Sequence, residues 1–456
     1  MPQSVAMEAP GAWRSSPPKV TTPPRLMMNL YDIAYALGLV AGAPYWLLVG
    51  TARKKVLRAL RQRMGDVAPR SDTAPAIMIH AVSLGEMNAT RALVAGLASA
   101  RPDLRFIVST TTETGWDRGR ELYGTNDRIT LIRYPLDFSS AIARVLDRLR
   151  PAVVALMELE VWPNFLLRCL QRDIPVVLLN GRLTEKSFRN YRRGGPVVWR
   201  MFRRLAMICA QDESYADRFR TLGAAAERVR VTGTMKFDTA AVAERVSGDD
   251  GLAAAVGLQR DEPIWVCGST GPGEEQLILE EYRRLLREFP RLRLVIVPRK
   301  PERFDEVAGL IESTGFLLVR RSTAQTLFPA QQQNPIILGD TMGELRTFYS
   351  LATVVLVGRT LVDLGQRQHG SDMIEPAALA KPTVVGPFTG NFAEPMNAFR
   401  AAGAMREIST PRELGDAVAS LLRDNAEAIK MGQLAQEVVR QNQGATERHV
   451  RVILEQ

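Results

Sequence analysis

Charged side chains stand at the ends of apolar runs along this chain, where chemistry can be done. In IMIHAVSLGEMNATRAL, residues 77–93, Glu86 sits between a strand-like run and a helix-like one. An acid in the first turn of a helix meets the positive end of the helix dipole, worth about 0.3–1 kcal/mol, which is a purely structural role. The same carboxylate facing a cleft is a general base toward an attacking hydroxyl. In MELEVWPN, residues 157–164, Glu158 and Glu160 are two apart and so share one side of an extended chain. They are either bridged by arginines or part of a polar constellation. Lys236, in VTGTMKFD, residues 231–238, follows another apolar run. It is either a solvated lysine or a partner for a carboxylate or phosphate.

The second half offers groups of another kind. GSTGPGEE, residues 268–275, opens a helix with a glycine-containing loop, and free N–H groups at helix starts bind anions. VPRKPERF, residues 297–304, holds Arg299 in a turn stiffened by Pro298 and Pro301, where a guanidinium can fork onto phosphate. GDTMGELRTFYSLA, residues 339–352, has the Thr341–Glu344 spacing of a capping box, and the same geometry can meet a phosphate or ribose. In HGSDMIEPAALAKP, residues 369–382, Asp372 and Glu375 open a helix, either as dipole partners or as acceptors for ribose hydroxyls. Acid–base candidates thus come from the first half, and phosphate and ribose candidates from the second. Transfer of a group from a nucleotide donor needs that division.

The elements around these residues alternate. From residue 76, apolar runs such as AIMIHAVS, RFIVSTTT, AVVALMELE and PVVLLNGR are separated by amphipathic helical segments, and the pattern restarts at IWVCGST and LRLVIVPR. Such alternation predicts parallel sheets with crossover helices. We expect an α/β protein with two Rossmann-like domains facing a cleft, the glycosyltransferase B type of architecture, plus an N-terminal membrane-associated helix. The expected parts are a disordered extension over 1–25, a membrane-anchor and basic region over 26–63, an acceptor-binding domain over 64–238, a linker over 239–261, a nucleotide-sugar-binding domain over 262–425, and C-terminal helices over 426–456.

The 456 residues, 46% of them hydrophobic, are ample for two cores. The net charge of +10 points to an anionic partner: nucleic acid, anionic lipid or a phosphorylated substrate. The arginines are not interleaved with the stacking aromatics that a nucleic-acid surface uses, so nucleic acid is not expected. Cys169, Cys209 and Cys267 show no paired spacing, and His80, His369 and His449 are scattered, so neither a disulfide framework nor a metal site is expected. Residues 30–50, LYDIAYALGLVAGAPYWLLVG, are apolar apart from Asp32, and RKKVLRALRQR, residues 53–63, adds six cations. A span needs roughly 20 apolar residues. Asp32, Gly38, Gly42 and Pro44 favour an interfacial helix with a polybasic flank, and a plain core helix is the third reading.

The motifs HAVSLGE, STTTETGWDRGR, MELEVWPN, NGRLTEKSFRNYRR, AQDESYADRFRTLGA, VTGTMKFD, VPRKPERF, GDTMGELRTFYSLA and MIEPAALAKP, in that order, resemble the 3-deoxy-D-manno-octulosonic acid (Kdo) transferases of lipopolysaccharide assembly. The resemblance implies an inverting, metal-independent transfer of Kdo from CMP-Kdo to a lipid A precursor at the inner face of the cytoplasmic membrane, with no cofactor. It implies Glu86 as base and a transition-state role for Glu158 and Lys236. It places CMP contacts at Pro298, Arg299, Met342, Gly343, Glu344, Asp372, Met373, Ile374 and Glu375. The chain departs from the family pattern over residues 358–376, which are longer, with Arg359 for a glycine and Asp372 for an asparagine. Two rivals remain at this level: a UDP-sugar transferase of the same fold, and a non-catalytic basic protein that binds membranes or nucleic acid.

Overall fold

The computed structural model describes residues 29–43, 59–323, 334–365 and 368–456. The chain forms two compact units, one of residues 1–239 with 443–456, the other of residues 240–442. The expected disordered extension over 1–25 lies outside the described residues, as do residues 44–50 of the apolar segment and residues 53–58 of the basic run.

The first unit is built on a seven-stranded sheet of order β3-β2-β1-β4-β5-β6-β7, with every pair parallel. Its strands are β1 (Ala76–His80), β2 (Arg105–Thr110), β3 (Ile129–Arg133), β4 (Val153–Met157), β5 (Val176–Gly181), β6 (Met207–Ala210) and β7 (Val229–Val231). All residues of β1, β4 and β5 are buried, as expected of parallel strands covered on both faces. The period of two shows in the packing. Met78 enters one core cluster with Val154 and Phe165, while Ile77 and Ile79 enter the other with Leu93 and Val108. The order of strands reverses between β1 and β4, and open α/β sheets hold ligands at such a switch point, beyond the carboxyl ends of the strands.

The second unit repeats the plan with β8 (Ile264–Thr270), β9 (Arg293–Pro298), β10 (Leu318–Arg320), β11 (Ile336–Leu338), β12 (Val354–Val357), β13 (Thr383–Val385) and β14 (Arg406–Glu407). The order is β10-β11-β9-β8-β12-β13-β14, again parallel, with the switch between β8 and β12. The short strand β14 carries no apolar run and went unseen in the sequence. Residues 240–261 belong to this unit, including the helix Asp249–Ala255, whose buried Asp249 is bound by Arg245, Arg260 and the Ser350 hydroxyl.

The helix Asn425–Asn442 belongs to the second unit, while the last helix, Ala445–Leu454, packs on the first. It lies against the helix Leu84–Ala100. A Cβ on Gly96 would come within 2.9 Å of Val450, so the glycine permits the close approach. His449 locks the return: its Nε2 accepts the Asn180 N–H at 2.9 Å, and burial holds its pKa down to about 4.

The N-terminal helix runs from Leu30 to Ala41. Asp32, which weakened a membrane span in the sequence, is its anchor. Only 3% exposed, it completes a capping box with Asn29 and accepts the Ser139 N–H at 2.7 Å and the Asn164 amide at 3.2 Å. Among the described residues no helix is long and apolar enough to cross a membrane.

Candidate active site

Glu86 is the third residue of the helix Leu84–Ala100, which starts four residues past the end of β1. Ser83 caps that helix because its hydroxyl accepts the Glu86 N–H at 3.2 Å. The Glu86 carboxylate in turn accepts the Val82 N–H at 2.9 Å and the Ser83 N–H at 3.2 Å. The side chain is half-buried at the switch point of the sheet. Burial, and after it the charge of Glu158, push its pKa up to about 7, against the pull of the two N–H donors. A carboxyl tuned to neutrality is suited to take a proton there.

Glu158 follows β4, the neighbour of β1. Its φ is +54° and its N–H donates to the Leu179 carbonyl at 2.8 Å. The chain therefore turns at Glu158, and the extended geometry expected to align it with Glu160 ends at Met157. The arginine bridges of the structural reading do not form among the described residues. Glu160 accepts the Trp162 indole N–H at 3.1 Å, and burial chiefly raises its pKa.

The sequence reading missed His80, the last residue of β1. It is fully buried and stacked on Tyr134 with ring centroids 3.7 Å apart, and its Nδ1 meets the Ser109 carbonyl at 3.1 Å. Burial holds its pKa down to about 3, so the ring is neutral, with Nε2 at 3.9 Å from Glu160. The signal was a lone histidine closing an otherwise aliphatic strand.

Lys236 is half-buried in a loop fixed by its neighbours. The Met235 N–H donates to the Asn180 side chain at 3.2 Å, and Phe237 is fully buried. Asp238 accepts the Gly444 and Thr446 N–H groups at 2.7 and 2.5 Å, at the start of the last helix. Glu86, Glu158 and Lys236 thus belong to the first unit, and every nucleotide candidate belongs to the second.

In the second unit the glycine loop differs from expectation. Glu274, in the first turn of the helix Glu274–Leu285, is fully buried. Its carboxylate accepts the N–H groups of Gly271 at 2.8 Å, Arg359 at 2.6 Å, and Thr360 and Leu361 at 2.8 Å each. An internal carboxylate therefore fills the place read as an anion site, and it ties the loop after β8 to the loop after β12.

Arg299 follows β9, whose last residue, Pro298, is buried beside Thr270. The Arg299 N–H donates to the Thr270 carbonyl at 3.0 Å, and its side chain is exposed. Glu375, in the short helix Ile374–Ala378, is half-buried. Burial and then Asp372 raise its pKa to about 7, while Arg346 and Arg299 pull it down. Arg299 and Asp372 are thereby both within electrostatic reach of Glu375. Met373 and Ile374 are fully buried, so their side chains serve the core.

Met342 is exposed and Gly343 adopts φ +87°. The expected capping box at Thr341 is not formed. The helix begins at Leu345 with Glu344 as its N-cap, the Thr341 hydroxyl donates to the Glu344 carboxylate, and Arg321 pairs with Glu344 at 2.9 Å. Among the described residues no three of His, Cys, Asp and Glu are grouped to hold a metal ion.

Known proteins share the sequence and the fold of this chain. Residues 58–239 match the family model of 3-deoxy-D-manno-octulosonic-acid transferase (kdotransferase). The 3-deoxy-D-manno-octulosonic acid transferase of Haemophilus influenzae is 33% identical over 403 residues, covering 88% of this chain and 92% of that protein. The enzyme of the same name from Bordetella pertussis is 32% identical over 395 residues, covering 85% and 88%. The crystal structure of a glycosyltransferase from Rickettsia africae aligns with a TM-score of 0.55 at 12% identity, over 84% of this chain and 99% of that one, a likeness of fold. The sequence rival of a non-catalytic basic protein is thereby set aside. With two parallel α/β units, acids at one switch point and a guanidinium beside the other, the chain belongs to the Kdo transferases and is a glycosyltransferase.

Proposed function

We propose that this enzyme transfers Kdo from CMP-Kdo to a lipid A precursor by a single inverting displacement that needs no metal. The observation that carries the chemistry is Glu86, a half-buried carboxylate at the end of a central strand with its pKa raised to about 7. An acceptor hydroxyl gives its proton to Glu86 as its oxygen bonds to the anomeric carbon, and the bond from that carbon to the phosphate oxygen breaks, releasing CMP. Attack opposite the departing phosphate inverts the centre. General-base help of this kind is worth roughly 10²–10⁴-fold. Lys236 and Glu158 serve the charges of the transition state, the lysine against an anion and the carboxylate against the sugar cation. Pro298, Arg299, Met342, Gly343, Glu344 and the segment Asp372–Glu375 hold CMP: Arg299 meets the phosphate, Glu375 takes ribose hydroxyls, and Met373 and Ile374 contribute backbone alone.

The acceptor is a lipid, and two surfaces of the first unit suit the cytoplasmic face of an anionic membrane. Leu30, Ile33, Leu37 and Val40 are exposed at helical spacing on the helix that Asp32 anchors. The helices Glu185–Arg192 and Gly195–Arg203 expose Val197 and Trp199 among arginines, with Arg203 stacked over Trp199 at 4.8 Å.

Incubation of the full chain with CMP-Kdo and a tetraacylated glucosamine disaccharide tests this reading, with product masses as the readout. We expect Kdo-bearing lipid products in the presence of a chelator as well as in its absence. Kdo-free acceptor alongside an active wild-type preparation on another acceptor would overturn the lipid assignment, and loss of turnover in chelator would overturn metal independence.

A further inference from the structure

We infer that Arg359 and Arg299 form a two-guanidinium clamp for an anionic group of the sugar-nucleotide donor; this rests on the donor reading above and adds a residue to it. The strand β8 lies between β9 and β12. Arg299 follows β9, and Arg359 comes two residues after β12, so the two arginines rise from strands on either side of β8, at the switch point of the second sheet.

The backbone of Arg359 is held in a conformation that suits glycine. Its φ is +60°, which costs an L-residue of this kind about 1 kcal/mol or more. Both of its peptide groups are pinned there. Its N–H donates to the buried Glu274 at 2.6 Å, and its carbonyl accepts the Gly370 N–H at 2.7 Å. The stem runs across Gly271, where a Cβ would lie 3.0 Å from the Arg359 Cγ. The loop after β8 is thus notched to let this side chain pass.

Glu375 lies within electrostatic reach of Arg299 but forms no ion pair with it. Among the described residues no carboxylate forms an ion pair with Arg299 or Arg359, although the molecule pairs most of its buried arginines, such as Arg303 with Glu275 at 2.6 Å. Glu274, the acid whose charge acts on Arg359, is taken up by four N–H groups. Burial first, and then the positive charge of Arg299, hold the Arg359 pKa below its ordinary value. Two like guanidinium groups, one half-buried and one exposed, gain from an anion between them, and their planar forks fit phosphate or carboxylate oxygens. A sugar nucleotide of this class carries both, the phosphate of the nucleotide and the carboxylate of the sugar.

The test is Arg359→Gly in the full chain. Glycine suits φ +60°, so the thermal midpoint should be unchanged or higher, which separates binding from folding. Loss of hydrogen bonds to a charged group predicts a KM for CMP-Kdo about tenfold to a hundredfold higher, with kcat little changed. A parallel loss of CMP affinity in calorimetry assigns the clamp to the phosphate. Unchanged CMP affinity with raised KM assigns it to the sugar carboxylate. Arg359→Lys, which keeps the charge without the fork, should fall between. Unchanged KM and unchanged CMP affinity in Arg359→Gly overturn the inference. If the wild type binds CMP but does not use CMP-Kdo, the proposed donor falls, and CMP affinity in the variant alone decides: a loss upholds the clamp and no loss overturns it. A wild type that binds neither overturns both.

Discussion

The two units place a glutamate in the same local setting and give it opposite fates. In each, the first strand of the unit, β1 or β8, ends at the switch point, and a glutamate stands in the first turn of the helix that follows. Glu86 accepts two N–H groups, both from its own turn, and stays half-buried with its pKa raised to about 7. Glu274 accepts four, three of them from residues 85 to 87 positions away, and is fully buried. Burial raises the pKa of both, so access separates them: the sealed carboxylate is a structural pin, and the half-buried one can be reached by an acceptor's proton. The positive partners differ accordingly. The first unit gathers acids at its switch point, Glu86, Glu158 and Glu160. The second gathers Arg299 and Arg359 there, with no carboxylate ion-paired to either among the described residues.

This contrast can be broken most sharply by Glu86→Gln. Transfer should fall by roughly 10²–10⁴-fold while the thermal midpoint changes little, because glutamine keeps the cap. Near-normal turnover would place the base elsewhere. Glu274→Ala should do the reverse. Four N–H groups lose a buried partner, and stability should drop by about 3–5 kcal/mol in denaturant titration. A small loss would mean that the loops after β8 and β12 are held by other contacts.

A subtler test uses pH. If Glu86 is the base, kcat/KM should rise with pH through about 7, where its carboxyl ionises. Glu158→Gln removes the neighbouring charge, so that limb should move to lower pH; a fixed limb would separate Glu158 from Glu86. The folded protein holds the Glu86 proton above the ordinary value of 4.5. Its contribution to stability is therefore complete below pH 4.5 and lost as pH rises through about 7, and Glu86→Gln should flatten that part of the stability profile.

Much of the architecture was legible because its signals are local. Strands with every residue buried read as unbroken apolar runs, so β1, β4, β5 and β8 stood out. The two-residue β14 has no such run and did not. Glu86 was legible because the strand-like run before it and the helix-like run after it lie within a few residues of it. The Thr341–Glu344 spacing misled for the same reason. A box was expected from the local pattern, but Arg321 pairs with Glu344 and the helix starts at Leu345, three residues later than a Thr341 cap would start it. His80 was invisible as a site residue, since its stacking on Tyr134 joins residues far apart in the chain.

The sequence by itself determined the two α/β repeats, the family motifs and the placing of acids and cations at strand ends, because periodicity and turn chemistry act over a few residues. Only the tertiary structure decided which glutamate is sealed and which is half-open, that the last helix returns to the first unit, and that Arg359 is pinned at φ +60° beside Arg299. Burial and electrostatic neighbourhood depend on groups brought together from distant positions, and those set whether a carboxylate holds the fold or holds a proton.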